Sequence, residues 1–251
     1  MKYIFIVFIF FSCKNIYDPN ANRTVSREVL DIIKDTLPVT RAAPAIFEKA
    51  FLVGTQDQVN QSTVTFYGVN IGKIKVSSGR IIACDPMHID EYGIPFTQAF
   101  PTGEFAVQLS IAKLEDEESI AFARILFSQE PVVRWQLALQ KGQTPLPVGA
   151  EKIHGYSVDA GVGIFIDEAA SKALDKRHVT RMDQGVYQEM DKHYHNTWRY
   201  ALYSFGNHNL AAFTSGFGDG YYASYIGYDT NGKPCRLLTD FGLSDWKQNK
   251  L

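Results

Sequence analysis

From Phe105 to Ile111 apolar side chains fall at every second position, Phe105, Val107, Leu109 and Ile111, with Gln108 and Ser110 between them. That two-residue period predicts a strand with one face in a core. Thr63 to Val69, Lys73 to Val76 and, after a Ser77-Ser78-Gly79 turn, Arg80 to Cys84 read as earlier strands. Ile120 to Phe127 is apolar on both sides, and Val133, Trp135, Leu137 and Leu139 alternate with Arg134 and Gln136. Taken in order, these predict an antiparallel meander in the first half, with the acidic run Glu115 to Glu118 as a solvated hairpin turn. In the second half the pattern mixes. Asp167 can cap a short helix running to Leu174, and Val186, Met190 and His193 mark another. Trp198 to Tyr203 and Asn209 to Thr214 return to strands. A hairpin closes the pattern, Tyr225 to Tyr228 and Cys235 to Thr239 around Asp229-Thr230-Asn231-Gly232, where Asn-Gly offers positive φ. The expected fold is mainly β, a β-rich α+β domain of antiparallel sheets in a sandwich or barrel-like arrangement with a few short helices.

The periodicity begins late. Residues 26–62 read as an N-terminal helical segment, Ser26 capping a stripe of Val29, Leu30, Ile32 and Ile33, with a second apolar stretch from Ala42 to Phe51. The β-rich domain is expected over 63–243, with a candidate subdomain break near 141–154, where Pro145 and Pro147 interrupt the pattern. At the start, residues 3–11 are unbroken apolar and aromatic behind Lys2. As a helix they would rise about 14 Å, half of a ~30 Å bilayer core, which suits an export signal better than a membrane span. Phe10-Phe11-Ser12-Cys13 followed by Lys14-Asn15 resembles a bacterial lipoprotein signal. The resemblance implies removal of residues 1–12, lipidation of Cys13 and a tether over 13–25, which places the protein in the cell envelope, lipid-anchored to a bacterial membrane.

Charge removes one class of partner. With 25 Lys and Arg against 27 Asp and Glu, the chain lacks the positive excess that nucleic-acid binding draws on. The expected partners are the membrane, through lipid at Cys13, and a small-molecule or protein ligand. Beyond Cys13 only Cys84 and Cys235 remain, either joined in one disulfide or buried separately as inert thiols; no Cys-x-x-Cys pair exists to hold zinc.

Familiar catalytic signatures are missing. Gly161-x-Gly163 and Gly216-x-Gly218 lack the third glycine of a dinucleotide loop, and there is no phosphate-binding loop, nucleophile elbow or His-Glu-x-x-His helix. What remains is three aspartates at the ends of expected strands: Asp85 before Pro86, Asp159 before Ala160-Gly161, and Asp219 within Gly218-Asp219-Gly220. Converging carboxylates could hold a divalent cation such as Ca²⁺ or Mg²⁺, or divide acid and base roles; separately, each would cap its own turn. Tyr222, with Tyr221 and Tyr225, could wall such a site. His193-x-His195 can chelate jointly only in extended backbone.

These segments together resemble the bacterial domain-of-unknown-function 4241 family. The resemblance rests on Gly79-Arg80-Ile81-Ile82-Ala83-Cys84-Asp85-Pro86, Phe100-Pro101-Thr102-Gly103, Glu130-Pro131-Val132-Val133-Arg134-Trp135, Gly155-Tyr156-Ser157-Val158-Asp159-Ala160-Gly161, and Ser215 to Gly220 continuing to Thr239-Asp240-Phe241-Gly242. Ala223 stands where the family pattern has proline. The family implies no activity. The expectation is therefore a lipid-anchored binding or interaction domain whose ligand lies at Asp85, Asp159, Asp219 and Tyr222; the alternative is a carboxylate- or metal-dependent hydrolase using the same aspartates.

Overall fold

The computed structural model describes residues 44–59 and 61–247. The signal, Cys13, the tether and the helix capped by Ser26 lie outside the described residues. Among the described residues five short helices, α1 (Ile46–Lys49), α2 (Ile89–Tyr92), α3 (Glu168–Ala173), α4 (Arg177–Thr180) and α5 (Gly185–Asp191), accompany thirteen strands. These are β1 (Thr55–Val59), β2 (Ser62–Val76), β3 (Ile81–Cys84), β4 (Gly103–Leu114), β5 (Glu117–Leu126), β6 (Arg134–Leu137) and β7 (Tyr156–Val158), then β8 (Val162–Asp167), β9 (Tyr194–His195), β10 (Trp198–Phe205), β11 (His208–Thr214), β12 (Gly220–Tyr228) and β13 (Pro234–Asp240). Every strand pairing is antiparallel. The fold is mainly β, as the alternation predicts.

Two sheets form. The larger runs β1-β2-β4-β5-β13-β12-β6, with β7 also paired to β12; the smaller runs β3-β8-β11-β10-β9. Their facing sides share one core: Ile74, Val107, Leu109, Ile125, Ile226 and Leu237 from the large sheet meet Ile81, Ala83, Phe165, Ala211, Phe213 and Trp198 from the small one. Each outer face is covered too, which is why both sheets carry strands without a polar side. On the large sheet, Phe66, Phe122, Trp135 and Tyr225 lie beneath Phe47 of α1, and Trp246 packs on the same cluster. On the small sheet, Ile82, Ile164, Ile166, Leu210 and Ala212 lie beneath Ala170, Val179, Val186, Tyr187 and Met190 of the helices. The order through the molecule is α1 and the C-terminal segment, large sheet, small sheet, helices.

Several expectations change. Within 26–62, the described residues hold a single helical turn, α1, followed by strand β1, whose Thr-Gln-Asp-Gln-Val alternation is mostly polar because it forms a sheet edge. The first half is not a simple meander. β4 and β5 form the expected hairpin, with Glu115 in the left-handed region at φ +54, but β13 takes the outer edge of β5, and β6 lies beyond β12. Residues 141–154 connect β6 and β7, which both pair with β12, so this loop begins and ends on one sheet. α5 ends at Asp191, and Tyr194–His195 is a strand. In the last hairpin only Gly232 of the Asn-Gly pair has positive φ; the Asp229 carboxylate accepts from the Asn231 and Lys233 amides and sets the turn instead.

Cys84 and Cys235 are both free and buried, one under the helices and the other on the opposite outer face, so no disulfide joins them. Burial pushes both thiols up, Cys235 to about 11. Charge is buried where α1 docks. Glu48 accepts from Arg124 and Arg236, both nearly inaccessible, while Arg124 also lies over the Phe51 ring. Burial, against the pull of Glu48 and with the push of Arg236, lowers Arg124 to about 10.

Candidate functional site

Strand register alone brings the three aspartate turns together. β3 and β11 are both antiparallel to β8, with Cys84 opposite Ile164 and Thr214 opposite Val162. The ends of β3 and β11 therefore flank the beginning of β8. β7 pairs with β12 so that Val158 faces Gly220. Consequently Asp85 after β3, Asp159-Ala160-Gly161 between β7 and β8, and Ser215 to Asp219 between β11 and β12 meet at one end of the sandwich, where the two sheets are stitched together.

The carboxylates meet backbone more than each other. Asp85 is buried; its Oδ1 accepts from the Met87 amide at 2.7 Å, and its Oδ2 from the Asp159 and Ala160 amides at 2.8 and 3.0 Å. It thus caps the 3-10 turn Pro86–His88 and clamps the neighbouring turn. Asp219 Oδ1 accepts from the Gly161 amide at 3.1 Å, gripping that turn from the other side. Gly161 in turn accepts from the Ser215 amide through its carbonyl. Asp159 is different. Its side chain is 67% exposed and lies 3.4 Å from His88 Nε2, and His88 also faces the Tyr92 ring.

Tyr222, expected as a wall, is a strut. Its hydroxyl donates to the Gly218 carbonyl at 2.8 Å and its ring meets Phe241 edge-on, with centroids 5.0 Å apart. Burial raises its pKa above the usual phenol value, countered by the hydrogen bond to Ser215 and reinforced by the charge on Asp219. On the segment from Ser215 to Tyr222 the aromatics that face solvent are Tyr221 and Phe217, 50% and 77% exposed. Phe217 sits at the tip of the Ser215–Gly218 turn between two glycines. Gly216 has φ +49, and a Cβ there would come within 3.0 Å of Phe241, so the turn is built tight against the core. Sequence reasoning missed Phe217 and His88. A large apolar residue between turn glycines, and a histidine three places after the capping Asp85, were the available signals.

A crevice lies behind β7, lined by Ala83, Phe96, Ala138, Gln140, Gln143, His154, Gly155, Tyr156 and Ser224. Its free space is about 10 Å³, room for one water. The Tyr156 hydroxyl is buried beside Thr239, and burial pushes its pKa well above the usual phenol value. Among the described residues no three His, Cys, Asp or Glu side chains gather in a group that could hold a metal ion. His193 and His195 stack on Tyr200 and Trp198, with ring centroids 4.7 and 4.3 Å apart, on one face of the small sheet. Nor is Glu118 merely solvated: its Oε2 accepts from Tyr67 at 2.8 Å and Trp198 at 3.1 Å, tying the two sheets together.

A family model described as protein of unknown function (DUF4241) matches residues 74–239, a span containing all three turns. The chain belongs to that family. No curated protein and no solved structure matches it.

Proposed function

We propose that this member of the DUF4241 family is a lipid-anchored protein of the cell envelope, whose β-rich domain is a binding module with its contact surface where the three turns meet. The observation that carries the reading is the convergence of the three turns at one end of the sandwich, with Asp159, Tyr221 and Phe217 exposed on or beside them. Loops held by a rigid sheet scaffold are where binding groups are usually carried. Asp85 and Asp219 set the geometry, and Asp159 with His88 faces the ligand. In intact cells, carbodiimide labelling of Asp159 should fall well below that of the purified domain, because a bound ligand covers it; equal labelling would reject an occupied surface. The anchor is tested by Cys13→Ser, which should move the protein from the detergent phase to the aqueous phase.

The hydrolase reading keeps one supporting observation, the contact between His88 and Asp159, a pairing that general bases use. A panel of chromogenic esters, phosphates and glycosides separates the two. Binding predicts no turnover, whereas turnover abolished by Asp159→Asn would establish the enzyme.

A further inference from the structure

We propose that Phe217 is the anchor of a protein–protein contact: the Ser215–Gly218 turn places its ring in an apolar pocket of a partner protein whose rim carries lysine or arginine side chains facing Asp159 and Asp219. The proposal deepens the binding reading above and rests on it.

A single exposed aromatic side chain is ordinary on a protein surface. This one is held out by a fixed frame. The Ser215 amide donates to Gly161, the Ser215 hydroxyl and the Tyr222 hydroxyl both donate to the Gly218 carbonyl, each at 2.8 Å, and the Gly218 amide donates back to Ser215. Asp219 then pins the next turn through the Gly161 amide. Phe217 therefore reaches solvent on backbone already ordered, so binding loses little conformational entropy, which is the condition for a strong anchor. Phe217 is 77% exposed, and the crevice behind β7 holds about one water. A ligand that wraps a projecting ring must supply the concavity itself, as a protein partner does and a metabolite does not.

Charge selects the kind of partner. Asp159 and Asp219 are both exposed on the turns adjoining Phe217: a Cβ on Gly161 would stand 3.7 Å from the Gly218 Cα. Among the described residues, His88 is the one basic side chain in contact with either of them. Two carboxylates beside the ring oppose insertion into a membrane with anionic headgroups. They also oppose a two-fold contact with a second copy, which would set like charges face to face. A basic rim on another protein satisfies both.

The test places the photo-crosslinker p-benzoylphenylalanine at position 217 of the full chain, in cells that produce it natively. Leu114, 39% exposed at the tip of the β4–β5 hairpin, is the control position. The expected result is one protease-sensitive adduct at 217 and none at 114. Asp159→Lys should lower its yield about tenfold by replacing an attraction with a repulsion, since among the described residues the Asp159 side chain pairs with His88 alone. An adduct of twice the chain mass, a lipid adduct, or a yield unchanged by Asp159→Lys would overturn the proposal. Adducts from the crosslinker at Tyr221 or His88 but not at 217 would reject Phe217 as anchor and leave the binding surface standing. No adduct at any of these positions would remove both.

Discussion

Replacing Asp85 tests whether the convergence of the three turns depends on one buried carboxylate. Asp85→Ala removes the acceptor for three amides, Met87, Asp159 and Ala160. Hydrogen bonds to charged groups contribute about 1.5–3 kcal/mol each, so simple addition would suggest about 4–9 kcal/mol. That sum is too large, because Asp159 and Ala160 are not buried and water can replace the acceptor at their amides. Discounting those two and keeping a cap loss of about 1 kcal/mol at Met87 gives a total of about 3 kcal/mol. For a domain of this size that lowers Tm by about 6–12 °C. Asp85→Asn is the sharper perturbation. It preserves volume but turns one acceptor into an NH₂ donor, which must face an amide donor on one side or the other. It should therefore be at least as damaging as alanine. Thermal denaturation of both variants, with hydrogen exchange at residues 159–161, reads the effect. An asparagine variant within about 1 kcal/mol of wild type, with unchanged exchange at 159–161, would refute the clamp.

Glu48→Ala should destabilise by about 3–5 kcal/mol in urea unfolding, because Arg124 and Arg236 are left buried without their carboxylate. Gly163→Ala should cost about 1–3 kcal/mol by overpacking, since a Cβ there comes within 2.9 Å of the Tyr156 hydroxyl and 3.3 Å of Phe213; a Tm equal to wild type would contradict that packing. Asp167 predicts acid sensitivity. Burial raises its carboxyl, but Ser78, Ser77 and the Ala169 amide together lower it below the usual value. Its stabilisation is present above the unfolded carboxylate range near pH 4 and is lost as pH falls through the lowered value, so Asp167→Asn should flatten the acid limb of a stability–pH curve. For Cys235 the sign reverses. Its thiol is raised to about 11, so stability holds below the unfolded thiol range and declines as pH rises from about 9 through that value. Cys235→Ser should reduce the decline, and a thiol reagent should label the native protein only on unfolding.

Local order was legible where one residue decides it. The alternation around Val107 and Leu109, the cap at Asp167 and the acidic hairpin at Glu115 depend on neighbours within a few positions, and the structure places each as the pattern predicts. Partnership between strands was not legible in the same way. β5 reads as apolar on both faces, which says that it is central without saying that β13, more than a hundred residues later, lies on its outer edge. The meander expectation failed there because sequence adjacency was standing in for spatial adjacency.

The aspartates show a deeper limit. Turn chemistry selected Asp85, Asp159 and Asp219 because a short carboxylate accepts nearby amides, and binding chemistry selected them because converging carboxylates attract cations. The structure shows the turn chemistry at two of them, Asp85 and Asp219. The turns converge, and two of the three carboxylates are what converges them. Asp85, buried with both oxygens holding backbone amides, has little of its charge to offer a ligand, whereas Asp219 accepts through Oδ1 and stays exposed. The groups that the frame does not need are the Asp159 side chain, whose one ion-pair partner among the described residues is His88, and Phe217, which is carried by the frame without being part of it. A surface organised in this way separates the residues that must be kept for folding from those that can change with the partner. Substitutions at Asp85 should accordingly alter stability first, and substitutions at Phe217 should alter association while leaving Tm within about 2 °C of wild type, as expected for an exposed side chain.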